Sequence, residues 1–394
     1  MAVASIPLSR VQARLHERNA IAQAFFAGEA ENLARLSHDM ADRFAAGGRL
    51  LALGRGPQAT DAQHVVVEFV HPVIVGKPAL PAIDVSAGMG AGLAALARPS
   101  DIVFGFGPPN GDAHVVAALE VARERGAMTV GLPGAGATYA LQPATGDPFV
   151  HQEVVEMLYH VLWETVHVFL EHGTRGLDVG QAGFLYPFLG RAAPDPSALR
   201  ARVADSILAK VADDAVLRTQ VSDSQGDNIV AAARLILDAV GRGGTVITLG
   251  NGGSATDATD LAIDCVLPPA GYRAVPAVSL AAEPASLSAI ANDVGVDVMF
   301  LRQLVAIGAA GDVVVAFSTS GGSRNVVSAL VEARKRRMHT VAFLGSDGGD
   351  VVRLGLADVA IVVRSDYIPR IQEVQASAYH VLRATMEDFA RGDD

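Results

Sequence analysis

The chain of 394 residues has a formal net charge of −11, 50% hydrophobic residues and a single cysteine, Cys265. This composition excludes a disordered chain, an internal disulfide and a Cys-rich zinc ribbon, and it argues against a general affinity for nucleic acid or anionic membranes. The length predicts two or three domains, no apolar run approaches the roughly 18 residues of a membrane span, and residues 1–10 lack a signal-peptide pattern, so we expect a cytoplasmic protein.

The predicted elements repeat along the chain. A long helix is predicted over 15–45, with room for one break, and the strand GGRLLAL at 47–53 leads into GRGPQATDAQHVVVEFV. The segment GGTVITL at 243–249, followed by GNGGSATDATDLAIDCV, aligns with the first segment without a gap. Later segments of the two halves also match, at offsets that rise from 196 through 211 to 220. The chain is therefore an internal duplication.

Each half alternates short apolar runs with amphipathic stretches, in the order expected of a doubly wound α/β sandwich. In the second half a long helix over 197–241 precedes five Val- and Ile-rich strands, which we place at 245–249, 274–279, 312–318, 339–344 and 359–363. Such nearly continuous apolar runs predict a parallel sheet that is covered on both faces. A Gly- and Pro-rich stretch predicts domains at 1–175 and 197–394, joined by a linker at 176–196.

The segment Gly250-Asn251-Gly252-Gly253-Ser254 lies between a predicted strand and a predicted helix. Glycines there let the backbone approach a ligand, and the start of the helix favours an anion. The pattern also fits a dinucleotide fingerprint, but that motif needs an acidic residue at the end of the next strand, and residues 268–280 contain none. We therefore expect no nucleotide cofactor.

A second loop, Ser318-Thr319-Ser320-Gly321-Gly322-Ser323, follows the strand DVVVAF and opens the next helix. Its four hydroxyls and two glycines suit a phosphate monoester held by neutral donors. Serine and threonine also cap helices without binding a ligand, but one hydroxyl would satisfy that need. We therefore favour phosphate binding over capping alone.

Polar residues of the first half share helical faces at spacings of four. His64 and Glu68 lie on one predicted helix, and Gln152, Glu156 and His160 lie on another. Such side chains at the end of a sheet could bind a divalent metal or act as an acid/base pair. Each also has a purely structural explanation, as a buried histidine with a hydrogen-bond partner or as a solvated glutamate.

These segments resemble the sugar isomerase (SIS) domain family and, within it, the phosphoheptose isomerases. The resemblance is carried by GNGGSATDATDLA, SLSAIANDVGVDVMFLRQL, DVVVAFSTSGGSRNVVSALVEARKRRM and RIQEVQASAYHVL, and it covers nearly all of 197–389. The first half resembles a diverged SIS domain over about 15–172. The resemblance implies two tandem Rossmann-like αβα domains with parallel sheets, phosphosugar binding by the Gly and Ser loops, active sites between neighbouring domains, and a homodimer in place of the tetramer of single-domain members.

The family's site positions carry over to both halves. The four acid/base and metal positions correspond in the first half to His64, Glu68, Gln152 and His160, and in the second half to Asp260, Asp264, Gln372 and His380. The residues implied to bind substrate or phosphate all lie in the second half: Asn251, Gly252, Gly253, Ser254, Asn292, Asp293, Ser318, Thr319, Ser320, Ser323 and Gln372. The corresponding first-half loops contain Arg55 and the hydroxyl-free segment GFGPP at 105–109.

The resemblance implies isomerisation of a phosphorylated aldose and ketose through an enediol, and we expect sedoheptulose 7-phosphate as the substrate. We hypothesise a composite site in which the second half binds the phosphate, Glu68 removes the proton next to the carbonyl and His160 shuttles a proton. Zinc held by His64, Glu68, Gln152 and His160 would polarise the carbonyl. In an alternative hypothesis the second half works alone, with Asp264 and His380 as its acid/base pair.

Two other functions fit the same residues. The changes at Asp260, at Asp264 and in the first-half loops are also what a non-catalytic phosphosugar-binding regulator or a protein-interaction scaffold would show. A deaminase or ether lyase acting on amino sugars is the other alternative. Deuterium uptake next to the sugar carbonyl separates an isomerase from a binding protein, because exchange requires a working base.

Overall fold

The computed structural model of the protein describes residues 8–74, 76–134, 136–173 and 196–392. The predicted linker at 176–196 lies outside these ranges apart from Pro196. The chain forms two compact units. We call residues 20–213 the N-terminal unit, and residues 1–19 together with 214–394 the C-terminal unit.

The N-terminal unit contains a five-stranded parallel sheet in the order β2-β1-β3-β4-β5. Its strands are β1 (Leu50–Leu53), β2 (Ala82–Asp84), β3 (Ile102–Phe106), β4 (Met128–Leu132) and β5 (Tyr139–Ala140). The helices of the first half are α1 (Leu8–Ala45), α2 (Gln58–Val70), α3 (Met89–Leu96), α4 (Ala113–Glu124) and α5 (Pro148–Gly173). Helix α1 has no break, and it begins at Leu8 rather than at residue 15, because Val11 extends the buried stripe of Leu15.

The C-terminal unit contains a second five-stranded parallel sheet, in the order β7-β6-β8-β9-β10. Its strands are β6 (Val246–Leu249), β7 (Ala277–Ser279), β8 (Val313–Ser318), β9 (His339–Gly345) and β10 (Val359–Val363). The helices of the second half are α6 (Pro196–Gly241), α7 (Gly253–Val266), α8 (Pro284–Asp293), α9 (Met299–Ile307), α10 (Arg324–Lys335), α11 (Gly349–Arg353) and α12 (Ile368–Arg391), with a 3-10 turn at Val296–Val298. All five strands predicted for this half form, with ends shifted by up to three residues.

The two sheets have the same strand order, which confirms the predicted fold of tandem Rossmann-like αβα domains with parallel sheets. Strand β8 shows how its sequence produces this layering. Val313, Val315 and Phe317 belong to the core on one face of the sheet, whereas Val314 and Ala316 belong to the core on the other face. A strand buried on both faces cannot alternate polar with apolar residues, so it reads as a continuous apolar run.

A long helix precedes each sheet, as predicted, and each of these helices is divided between the units. Residues 8–19 of α1 belong to the C-terminal unit, where Leu15 is part of the core. Residues 196–213 of α6 belong to the N-terminal unit, where Ile207 is part of the core. Within the described ranges, no helix has both the length and the apolar character needed to cross a membrane.

The strand order places an open crevice at the carboxyl edge of each sheet. The first strand of each sheet pairs with the second on one side and with the third on the other, so the connections leave in opposite directions. Doubly wound folds bind their ligands at such a switch point. The crevice is bordered by the loops after β1 and β3 in the N-terminal unit, and by the loops after β6 and β8 in the C-terminal unit.

Candidate functional site

The loop after β6 brings the backbone into a conformation that needs glycine. A Cβ at Gly250 would collide with the carbonyl group of Ser254, and Gly252 has a φ of +57°. The side chain of Asn251 is fixed by a reciprocal amide pair with Asn325, in which the two N···O distances are 2.9 and 2.8 Å. Gly253 and Ser254 begin α7, so the loop leads directly into a helix start.

The loop after β8 gathers the predicted hydroxyls at the start of α10. Ser318 Oγ accepts a hydrogen bond from the backbone of Gly321 at 3.0 Å, and Ser320 Oγ accepts one from Gly322 at 3.2 Å. Gly321 has a φ of +62°, and a Cβ there would collide with the carbonyl group of Gly348. Ser320 is exposed at the loop surface, while Thr319 is half-buried.

Ser323 occupies the N-cap of α10 but makes no side-chain capping hydrogen bond. Its Oγ lies 3.5 Å from Ser318 Oγ instead. The capping explanation for this hydroxyl therefore does not hold in the structure. Among the first backbone N–H groups of α10, that of Val326 donates to Asn325 Oδ1 at 2.9 Å. Those of Arg324 and Asn325 have no acceptor within the described residues and could donate to an anion, as the N–H groups at phosphate-binding helix starts do.

The equivalent helix start in the N-terminal unit is capped by the protein's own carboxylate. Asp112 precedes α4, and its Oδ1 accepts hydrogen bonds from the backbone of His114 at 2.7 Å and of Val115 at 3.2 Å. Its Oδ2 forms an ion pair with Arg55 Nη1 at 3.3 Å. A built-in anion thus occupies the position where the C-terminal unit offers hydroxyls and free N–H groups.

Asn292 and Asp293, which the resemblance implies to bind substrate, lie at the exposed end of α8. Asn292 Nδ2 donates a hydrogen bond to Asp293 Oδ1 at 2.8 Å. This contact joins the two residues to each other and not to the loops after β6 and β8. Their role in substrate binding stays a prediction.

Three of the predicted metal residues meet inside the N-terminal unit. His64 and Glu68 lie on α2 and His160 lies on α5, and their ligand atoms are all within 4.8 Å of one another. His64 Nε2 is 3.8 Å from Glu68 Oε1, and the centroids of the two imidazole rings are 5.2 Å apart. All three residues are buried. We call His64, Glu68 and His160 the N-terminal cluster.

Burial keeps the N-terminal cluster in a form that can bind a metal. Desolvation, and secondarily the neighbouring His160, lower the pKa of His64 well below its usual value, so its imidazole is neutral. Gln152, the fourth predicted residue, is buried on α5, and its Nε2 donates to Thr60 Oγ1 at 3.3 Å and to the Pro57 carbonyl at 3.4 Å. Thr60 precedes His64 by one turn of α2, so Gln152 lies beside the helix that carries the cluster.

The corresponding residues of the second half meet in the C-terminal unit. Asp260 and Asp264 on α7 and His380 on α12 bring their ligand atoms within 4.8 Å of one another, and all are buried. Burial and the adjacent Asp260 carboxylate raise the pKa of Asp264 to about 7. Gln372 is buried on α12, about two turns before His380. We call Asp260, Asp264 and His380 the C-terminal cluster.

Three residues next to these sites were not identified from the sequence. Asn325 fixes Asn251, Asp112 caps α4, and Tyr379 donates a hydrogen bond from its hydroxyl to Asp260 at 2.8 Å. Asp112 could have been found, since an aspartate just before an apolar helix is a capping signal. Nothing in the local sequence marks Asn325 or Tyr379, because their partners are 74 and 119 residues away.

Comparison with known proteins matches residues 212–345 to the SIS domain family. The phosphoheptose isomerase of Leptospira biflexa is 36% identical over 191 residues, which are 48% of this chain and 97% of that protein. The phosphoheptose isomerase of Chlorobaculum tepidum is 39% identical over 193 residues, or 47% of this chain and 90% of that protein. Each of these relatives therefore matches about half of this chain.

A solved structure resembles the fold of nearly the whole chain. The C-terminal domain of glucosamine-fructose-6-phosphate aminotransferase from Francisella tularensis covers 95% of this chain and 94% of its own, with a TM-score of 0.62 and 8% identity. At this identity the likeness concerns the fold alone, and it agrees with two sheets of the same strand order. The family match and the two isomerase relatives show that the chain belongs to the SIS domain family.

Proposed function

We propose that the protein is a phosphosugar aldose–ketose isomerase that acts on sedoheptulose 7-phosphate. The observation that carries this proposal is the hydroxyl-rich loop after β8, which lies at the switch point of the sheet and opens a helix whose N-cap serine makes no capping bond. The relatives named phosphoheptose isomerase support both the reaction class and the seven-carbon substrate.

The phosphate would be bound by neutral donors of the C-terminal unit. Thr319, Ser320 and Ser323 offer hydroxyls, and the first turn of α10 offers backbone N–H groups that favour an anion. An isomerisation leaves the phosphate unchanged, so its binding energy serves to position the reacting carbons. Removing Ser320 should therefore lower turnover as well as weaken binding.

The loop after β6 and the acidic residues of the same domain are separated along one helix. Asp264 lies ten residues after Ser254 on α7, which is a rise of about 15 Å in an α-helix. In the proposed composite site, a substrate whose phosphate is bound by one copy of the domain reacts with acid/base groups of another copy, with Glu68 as base and His160 as proton shuttle.

These two side chains would do the proton chemistry of the isomerisation. Glu68 takes the proton from the carbon next to the carbonyl, and His160 moves a proton between the two oxygens of the resulting enediol. Both side chains are buried in the N-terminal unit. Glu68, whose abstracted proton can exchange with solvent at the enediol stage, then delivers a proton to the neighbouring carbon, which completes the exchange of aldose and ketose.

The N-terminal cluster also suits zinc in its donor types, since it offers two imidazoles and one carboxylate whose ligand atoms lie within 4.8 Å of one another. We therefore include zinc in the proposal, held by His64, Glu68 and His160 with Gln152 beside them. When bound, it would polarise the sugar carbonyl. Because Glu68 cannot readily be a ligand and a base at once, full activity in metal-free protein would assign Glu68 to the base role alone.

The proposal is tested by incubating the protein with sedoheptulose 7-phosphate in deuterated water and following deuterium at the carbon next to the carbonyl. We expect rapid uptake by the natural chain and almost none by Ser320→Ala and His160→Ala. The matched controls are Ser224→Ala and His16→Ala, which remove exposed residues of the long helices and should leave the rate unchanged.

Normal deuterium exchange by Ser320→Ala would contradict phosphate binding by the loop after β8. Normal deuterium exchange by His160→Ala would contradict the role of His160 as the proton shuttle. Tight binding of the sugar phosphate without any exchange would replace the isomerase with a phosphosugar-binding regulator. Exchange lost in Asp264→Asn but kept in Glu68→Gln would favour the second half working alone.

A further inference from the structure

The C-terminal unit has a cavity of about 410 Å³ that the proposed isomerase chemistry does not use. It is lined by residues near the ends of α6 and α12 and by residues 273–275, which lead into β7. The end of α6 leads into the amino end of β6, so the cavity lies at the amino edge of the parallel sheet. The crevice bordered by the loops after β6 and β8 lies at the carboxyl edge. A ligand in the cavity would therefore occupy a different place from the sugar phosphate.

Charged side chains of both signs line the cavity. Arg234, Arg273 and Arg383 outnumber Asp238 and Glu387, which leaves an excess of one positive charge. All other lining residues are apolar or glycine. Pockets for small molecules combine mostly apolar walls with a few polar groups that orient the ligand, and their volumes begin at about 300 Å³. The cavity has this size and composition, with a charge that favours an anion.

The carboxylate of Glu387 does not use the hydrogen-bonding capacity of the Arg273 side chain. Its oxygens accept hydrogen bonds from Arg391 Nε at 3.1 Å and from the backbone N–H of Arg273 at 2.9 Å. The Arg273 side chain is 58% exposed, and its Nε is 3.8 Å from Glu387 Oε1, beyond hydrogen-bonding distance. Within the described ranges, this guanidinium makes no hydrogen bond. Its planar donors would suit the two oxygens of a carboxylate ligand.

The other two arginines of the cavity are held in place by aromatic rings. The guanidinium carbon of Arg383 lies 5.1 Å from the centre of the Tyr272 ring, and that of Arg234 lies 5.1 Å from the centre of the Phe389 ring. Arg383 also donates hydrogen bonds to two backbone carbonyl groups. Charges that are fixed in advance lose little side-chain freedom when a ligand binds, which favours affinity.

The first half forms the same fold without these charges. At the offset of 220 that aligns α5 with α12, Arg383 corresponds to Trp163 and Glu387 corresponds to His167. Trp163 is fully buried. Burial lowers the pKa of His167, so its imidazole is neutral. The fold therefore does not require an arginine and a glutamate at these positions, which favours a binding function for them over a structural one.

We propose that this cavity binds a small aromatic carboxylate, whose carboxylate group pairs with Arg273 and whose ring packs against Met386 and Phe389. The single negative charge of a carboxylate equals the excess charge of the lining. A phosphate monoester carries about −1.5 to −2 and would leave the site overcharged. An aromatic ring suits the apolar wall, because flat rings stack on phenylalanine and on guanidinium planes. The site does not rest on the isomerase activity.

The experiment titrates the full-length chain with 2-naphthoate and measures the heat of binding by calorimetry. We expect one bound molecule per chain, with an affinity that falls at least about tenfold when Arg273→Gln removes the charged donor. The neutral isostere 2-naphthamide should also bind at least about tenfold more weakly. Ala274→Trp introduces a ring from an exposed position of the lining and should abolish binding.

The matched control is Arg353→Gln, which removes an arginine on α11 that is 70% exposed and pairs with Asp350. It should bind 2-naphthoate as the natural chain does, and thermal unfolding shows whether each variant is folded. Absence of binding at about 10 mM 2-naphthoate would overturn the proposal. So would binding that Arg273→Gln leaves unchanged, or equal affinity for 2-naphthoate and 2-naphthamide.

Discussion

At the scale of single residues, the two halves differ most clearly at the start of the helix that follows the third strand. Asp112 in the first half accepts two backbone hydrogen bonds there, whereas Ser323 in the second half accepts none. A carboxylate in this place satisfies the helix start and repels a phosphate. The two equivalent helix starts therefore differ in whether the side chain of the N-cap residue accepts their backbone N–H groups.

This difference predicts opposite consequences for two alanine substitutions. Asp112→Ala should lower the free energy of unfolding by about 1 kcal/mol, since it removes a capping side chain. Ser323→Ala should change stability by less than about 0.5 kcal/mol, because it removes no capping bond, but it should raise KM for the sugar phosphate. Urea unfolding and steady-state kinetics measure the two effects, and equal stability losses would contradict the assignment.

A second residue-scale prediction concerns acid sensitivity. His151 Nε2 lies 3.2 Å from the Gly107 carbonyl, and burial lowers the pKa of His151 to about 4. Since the folded chain resists protonation that the unfolded chain accepts, stability must fall as the pH falls below the unfolded value near 6.5. Between about pH 7 and about pH 5 this group alone should cost about 2 kcal/mol.

The variant His151→Gln keeps a donor for the Gly107 carbonyl but takes up no proton. Its free energy of unfolding should therefore decline less than that of the natural chain over the same pH interval. Urea titrations at several pH values provide the comparison. If the free energies of unfolding of the two proteins fell equally with pH, His151 would not be the group that takes up a proton on unfolding.

At the scale of elements, the loops after β6 and β8 depend on close backbone approaches. The loop after β8 passes the segment that leads into α11, and Gly321 faces the carbonyl group of Gly348 with no room for a side chain. Gly322, the next residue, has its nearest heavy atom 3.8 Å from an added Cβ and no positive φ. Two adjacent glycines thus have different structural importance.

We expect Gly321→Ala to shift the loop, lower the melting temperature and reduce kcat/KM at least about tenfold, because displacing binding groups by about 1 Å has effects of that order. Gly322→Ala is the matched control and should stay close to the natural chain in both measurements. Similar losses in both variants would mean that loop flexibility, and not the contact with Gly348, is what matters.

At the scale of the whole molecule, the compact units do not coincide with the repeated halves. The C-terminal unit includes residues 8–19, where Leu15 is fully buried and Arg14 forms two hydrogen bonds with Asp388. Part of the first half is therefore needed to complete the core of the second. A fragment beginning at residue 197 would lack this part.

Leu15→Ala should destabilise the C-terminal unit by about 2–5 kcal/mol, the usual cost of emptying a fully buried leucine site. Proteolysis within residues 214–394 should accelerate accordingly. Leu208→Ala, at a position that is 39% exposed on the other long helix, is the control and should have a much smaller effect. Unchanged protease resistance in Leu15→Ala would show that residues 8–19 are dispensable for this unit.

The assembly can be tested at the same scale. The resemblance to the SIS domain family implies a homodimer of this tandem chain, which would hold four domains, and this stays a prediction. Light scattering after size exclusion should give about twice the mass of one chain. A monomeric protein with full exchange activity would show that two domains of one chain suffice.

Much of this architecture could be read from the sequence. Strands buried on both faces of a sheet, such as β8, can be recognised in the sequence because they are uninterrupted apolar runs. The internal repeat then implies two sheets of this kind. The glycines and hydroxyls after β6 and β8 were also recognisable, because loops that bind anions need those residue types at a helix start. The resemblance assigns His64, Glu68 and His160 to one site, and the structure brings their ligand atoms within 4.8 Å of one another; their role as a site stays a prediction.

The sequence by itself determined the duplicated α/β fold and the residue types at the switch points, because strand patterning and turn chemistry are local properties of the chain. Tertiary structure alone decided that Asn325 pairs with Asn251, that Ser323 Oγ lies beside Ser318 Oγ and makes no capping bond, and that Tyr379 donates to Asp260. These outcomes depend on which groups meet after distant segments have packed, and no local pattern encodes the partner that a polar atom finds there.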